Sequence, residues 1–157
     1  MIRAEAQTVA EAWFEALLSG VALNAFCLER FGREPAIQLG TDPFNLQGEP
    51  DAPFVVVVPM QTKDGPDLSA AEGERIEYRL MLALGLEDGA VESVGGRGKV
   101  FRGYRSAAEF EARALQVLMD SAYRPAVWES ETAQPGENYF ERHVFITVTA
   151  ENTIGGF

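Results

Sequence analysis

The chain has 157 residues, 46% of them apolar and 24% charged, enough to bury a core without staples, and no run approaches the roughly 18 apolar residues that a membrane span needs. Its formal net charge of −11, from 24 acids against 13 bases, argues against general affinity for nucleic acid, because polyanion binding is driven by counterions that protein cations release. A single cysteine, Cys27, and a single histidine, His143, exclude an internal disulfide and any multi-cysteine or multi-histidine metal site.

The opening "MIRAEAQTVAEAW" carries acids early and no uninterrupted apolar region, so no secretory signal is expected and the chain is expected to stay in the cytoplasm that makes it. Thr8 and Glu11 have capping-box spacing. Val9, Trp13, Ala16, Leu17 and Val21 then follow a helical period, which predicts a helix over about 8–31, bent or broken at Ser19-Gly20 and stopped at Gly32. Cys27, between Phe26 and Leu28, reads as a buried thiol of that helix rather than a nucleophile. "PAIQL" and the proline-bounded, β-branched "PFVVVVPM" read as strands. The acidic, turn-rich segment Thr62 to Glu74 connects them to the clearest strand of the chain, "RIEYRLMLALGLE". There Ile76, Tyr78, Leu80, Leu82, Leu84 and Leu86 alternate with Arg75, Glu77, Arg79, Met81 and Ala83.

A second capping-box spacing, Ser106 with Glu109, predicts a helix that ends near Tyr123, before Pro125. "AVWESE" and "NYFERHVFITVTA" flank the turn-rich "TAQPGE" and predict an antiparallel hairpin, with Phe140, Val144, Ile146 and Val148 on one face and Arg142 among them. The expected fold is α+β: a single domain over 1–157, with a mostly antiparallel sheet of four to five strands, two main helices on one face, and a protruding hairpin or loop. Its expected core comprises Trp13, Leu17, Val56, Val58, Tyr78, Leu80, Leu82, Phe110, Val117, Leu118, Val144 and Ile146.

Between the long strand and the second helix lies "SVGGRGKVFRGY", Ser93 to Tyr104. A phosphate loop fails here at Ser93 and Val100, and a dinucleotide loop fails at Phe101, where the third glycine belongs. The residues after it are strand formers, so the loop does not open a helix that would hold an anion. Segment 97–125 is the one stretch with a positive balance, six bases against three acids, whereas 126–157 holds one base and five acids. These features predict a hairpin over Gly95 to Tyr104, mobile when free, that docks on another protein through Arg97, Lys99, Phe101, Arg102, Tyr104 and Arg105. Neither His143, in mid-strand, nor the scattered carboxylates assemble into a catalytic constellation, so no catalytic residue, cofactor or metal is expected.

The layout resembles the tail terminator or tail-completion (neck) proteins of long-tailed bacteriophages. The resemblance rests on the N-terminal helix, "DAPFVVVVPMQTKDG" as first core strand and long loop, "RIEYRLMLALGL" as the second, the helix "SAAEFEARALQVLMDSAY", and the closing hairpin ending "FITVTAENTIGG". The acidic connection at Thr62 to Glu74 is a departure from the family. The resemblance implies a non-enzymatic virion protein that resides in the tail or neck after assembly in the host cytoplasm. It also implies a homo-hexameric ring, with the tail tube protein and the head-side connector protein as partners and DNA passing through without specific binding. The alternatives are another neck or connector subunit and a small cytoplasmic enzyme that uses carboxylate and arginine chemistry; a deep pocket with convergent polar groups would favour the enzyme.

Overall fold

The computed structural model describes residues 4–40, 51–63 and 74–152. The connection expected at Thr62 to Glu74 lies mostly outside them. Among these residues three helices, α1 (Ala6–Leu18), α2 (Val21–Phe31) and α3 (Gly103–Met119), accompany seven strands: β1 (Ala36–Leu39), β2 (Phe54–Lys63), β3 (Glu74–Glu87), β4 (Val91–Val94), β5 (Gly98–Phe101), β6 (Val127–Ala133) and β7 (Tyr139–Asn152). Five strands form one sheet in the order β1-β2-β3-β7-β6, and β4 with β5 form a separate two-stranded sheet. Only β1 runs parallel to its neighbour; the other pairs of the large sheet are antiparallel. The fold is therefore α+β, with α1 and α3 on the sheet and α2 against α3.

Period-two patterning builds the sheet's buried face. Along β3, Ile76, Tyr78, Leu80, Leu82, Leu84 and Leu86 are buried, and β7 sets Val144, Ile146 and Val148 opposite Leu82, Leu80 and Tyr78. Arg142 shares this face and is neutralised there by Glu111 of α3, at 2.8 Å. In β2 the residues that join the helix-facing core are Val55 and Val57, whereas Val56, though buried, lies on the opposite face in register with Ala83. Val58, expected in the core, is only partly buried, while Val117 is partly buried and packs against the core. Four valines in a row carry no alternation, so nothing in their sequence marks which of them turn toward the helices.

Local signals placed the helices more accurately than they placed their ends. The predicted break at Ser19-Gly20 separates α1 from α2, whose axes are bent by 61°. Gly32 closes α2 in the left-handed region, φ 88°. The first helix begins at Ala6, not Thr8: Glu5 is the N-cap, and the Thr8 hydroxyl accepts a hydrogen bond from the Glu5 backbone N–H at 3.1 Å. The third helix starts at Gly103, three residues before the predicted cap, and ends at Met119 rather than near Tyr123. Trp13 is fully buried, and its indole N–H donates to the Tyr123 carbonyl at 2.8 Å, which ties α1 to the segment beyond α3. Cys27 is fully buried, and burial pushes its thiol up to about 12. Among the described residues no single helix is long and apolar enough to cross a membrane; α1 and α2 together reach that length and composition only as a bent pair.

Candidate functional site

The glycine-rich stretch folds as a hairpin, longer at its start and shorter at its end than the sequence predicts. It pairs Val91 with Phe101, Glu92 with Val100, Ser93 with Lys99 and Val94 with Gly98. Gly95 and Gly96 turn the chain at φ 64° and 78°, backbone angles that other residues adopt at a cost. All eight strand residues are exposed, and Val91, Val94, Val100 and Phe101 leave between 37% and 56% of their surface in solvent. A hairpin this short is marginal alone, so its position depends on what holds its base.

That base is a polar clamp. Asp88 precedes the hairpin, has 1% of its side chain exposed, and receives Arg102 Nε at 2.8 Å and Arg102 Nη2 at 3.0 Å from just beyond β5. The same carboxylate accepts from the Ser106 hydroxyl at 2.6 Å and from the Ala90 backbone N–H at 3.0 Å, while the Arg102 N–H donates to the Ala90 carbonyl at 3.0 Å. Burial acts to raise the Asp88 carboxyl. The hydrogen bonds from Arg102, Ser106 and Ala90, with the Arg102 charge, outweigh burial and hold it below the usual carboxylate range. Arg30 of α2 extends the network, donating to Ser106 Oγ at 2.9 Å and pairing with Glu109 at 2.7 Å. The clamp at the hairpin's base is thus tied to α3 through Ser106 and, through Arg30, to α2.

The six candidate interface residues fall into two groups. Arg97 in the turn, Lys99 on β5 and Phe101 at its end are all exposed. Arg102, Tyr104 and Arg105 lie at its base instead. Arg102 is committed to Asp88; Tyr104, in the first turn of α3, packs edge-on against Phe140 and donates from its hydroxyl to Gln134 at 3.1 Å; Arg105 reaches back to Glu92 of β4 at 3.4 Å. Sequence reasoning missed Asp88 and read Ser106 as a helix cap rather than as a donor to it. The Asp88-Gly89 pair signals a turn, but no local pattern announces a carboxylate whose partner lies 14 residues ahead.

Two other surfaces frame the site. Strand β6 is the far edge of the large sheet, exposed at six of its seven positions, with Glu129, Glu131 and Val127 on the face opposite the helices and Trp128 on the helix side. His143 lies beside Glu131 on that outer face, its Nδ1 3.8 Å from the carboxylate, and its Nε2 is 4.0 Å from Glu141. Between α2 and α3 runs an open groove of about 820 Å³ floored by Ala22, Ala25, Phe26 and Val117, with Glu29, Arg113 and Asp120 among its polar groups. None of the six candidate residues lines it. No protein-family model matches the chain, and no curated protein matches it.

Proposed function

We propose that this chain is a structural subunit of a phage virion that closes the end of the tail tube and joins it to the head-side connector, as a hexameric ring. The observation that carries an assembly role is the hairpin Val91–Phe101, which exposes four large apolar side chains while its base is fastened by the buried Asp88 carboxylate. Exposed apolar surface on a preformed projection is what a partner would cover, and Arg97 and Lys99 add charge that steers association toward an acidic surface. The phage setting rests on the resemblance of the order of elements, helix, core strand, loop, long strand, helix and closing hairpin, to the layout of the tail terminator family. A net charge of −11 per copy suits a ring whose channel passes DNA without gripping phosphates. In this reading the subunit performs no catalysis.

Sedimentation velocity and negative-stain imaging of the purified chain, alone and with preassembled tail tubes from the same phage, test the proposal. Six-membered rings with an open channel, seated on tube ends, are the expected result. A monomer at every concentration that also leaves tube ends bare would overturn it.

A further inference from the structure

Resting on the ring reading, we propose that the ring is closed by a plug and a groove: the hairpin Val91–Phe101 of one copy enters the groove between α2 and α3 of the next. Helix α2 supplies the first reason. From Val21 to Leu28 its one polar residue is Asn24, and a helix that is apolar on all sides belongs in an interior. Yet among the described residues α2 is covered on one side alone, where Leu23, Phe26 and Cys27 are buried, while Val21 is 82% and Leu28 54% exposed on the other. The groove of about 820 Å³ opens beside this bare side, lined by Ala22, Ala25 and Ala112 together with Phe26 and Val117. A partner that fills it would cover α2 at the same time.

Charge, shape and position select the hairpin as that partner. Two acids and one base line the groove, Glu29 and Asp120 against Arg113, whose guanidinium lies 5.5 Å from the centre of the Phe26 ring. The hairpin carries the opposite balance: Arg97 and Lys99 are exposed cations, and its one acid, Glu92, is met by Arg105. From Val94 to Gly98 three of the five residues are glycine, so the tip is little wider than backbone and suits a groove walled by alanines. The lengths also agree, since Arg97 to Phe101 spans about 13 Å as a strand and Val21 to Glu29 about 12 Å as a helix. Laid along the groove with its tip toward Gly20, the hairpin sets Phe101 by Leu28, Lys99 by Ala25 within reach of Glu29, and Arg97 near Asp120. No hairpin residue lines the groove of its own chain. Its root is where Arg30 meets Ser106, whereas Gly20 approaches Val117 at the opposite end of the α2–α3 pair. Plug and groove are therefore different patches, and such heterologous contacts generate rings when the rotation closes.

Paired cysteines test the contact directly. Lys99→Cys with Ala25→Cys in one chain should give, under mild oxidation, a ladder of disulfide-linked multimers up to six, whereas either single variant should give none; buried Cys27 stays out of the reaction. A ladder that stops at two would mean reciprocal exchange between two copies, and linkage of Ala25→Cys chains to each other a twofold contact of α2; either result overturns the proposal. Charge exchange gives a second readout. Lys99→Glu and Glu29→Lys should each weaken association about tenfold and the combined variant should recover most of it, with thermal midpoints unchanged because both residues are exposed. Val21→Glu, a carboxylate on the apolar rim, should abolish rings and spare the folded subunit. Rings that form normally in all of these variants and yield no cross-link would refute the plug while leaving the ring reading intact. Intact Val21→Glu rings that no longer seat on tail tubes would make the tube protein the occupant of the groove and overturn the proposal. A wild-type chain that never assembles would overturn both readings.

Discussion

Asp88 and Leu82 show two ways in which single residues hold this fold. Asp88 is a buried carboxylate with four donors aimed at it, so Asp88→Ala removes the anion that Arg102 and Ser106 were arranged to meet. Because Arg102 keeps 35% of its side chain in solvent and can rehydrate, the loss should be about 1.5–3 kcal/mol rather than that of a wholly buried pair. The pH dependence has a definite sign. Since the folded carboxyl is held below the ordinary aspartate value of 3.8, its contribution is complete above that value and disappears as pH falls through the lower folded one. Denaturant titrations at a series of acid pH values should therefore show a shallower acid limb for Asp88→Asn than for wild type. Leu82, fully buried between Val57 and Val144 on neighbouring strands, acts through packing alone. Leu82→Ala should cost roughly 2–5 kcal/mol by urea unfolding at any pH, and a loss under about half a kcal/mol would mean that its face is not the core.

The start of α3 makes the same point for an element. Gly103 opens the helix where the Phe140 ring lies directly over the backbone, and a Cβ at this position would overlap the ring's edge. Phe140 is itself 1% exposed and wedged against Tyr104, so it has nowhere to move. Gly103→Ala should then destabilise by about 1–3 kcal/mol despite alanine's better helix propensity, a reversal of the usual order that thermal unfolding can read. The strands were legible in the sequence because burial on one face imposes alternation, and β3 and β7 alternate without fault over their buried stretch. The break before α2 was legible because Ser19-Gly20 interrupts a helical period. What escaped was every feature set by distant partners. Ser106 and Glu109 have the spacing of a cap, yet one hydroxyl turns to Asp88 and the other side chain to Arg30, 79 residues away in the chain. A rule confined to four consecutive residues had no means of seeing those competitors. The hairpin itself was legible from its glycines, while the division of its cations between an exposed tip and an occupied base was not.

Over the whole molecule, charge and shape are distributed unevenly in a related way. The positive balance of 97–125 begins at the hairpin tip, whereas the acidic stretch 126–157 includes the exposed sheet edge. Long-range attraction between such surfaces fades once the Debye length shrinks to a few ångströms, about 3 Å at 1 M salt. In the proposed ring, assembly should accordingly weaken with added salt while the unfolding midpoint of the subunit stays nearly constant, a contrast that sedimentation and calorimetry on the same samples can measure. The clamp carries a last consequence, for sequence change over time. Since Ala90 and Arg102 are joined backbone to backbone and Asp88 holds Arg102 from the buried side, the chain leaves and re-enters the domain at almost one point. What lies between is a detachable insert: exchanging Val91–Phe101 for a short glycine linker should leave a folded subunit with nearly the same melting temperature and no capacity to assemble. A lineage could lengthen, trim or recharge this tip to suit a new neighbour without renegotiating the core beneath it.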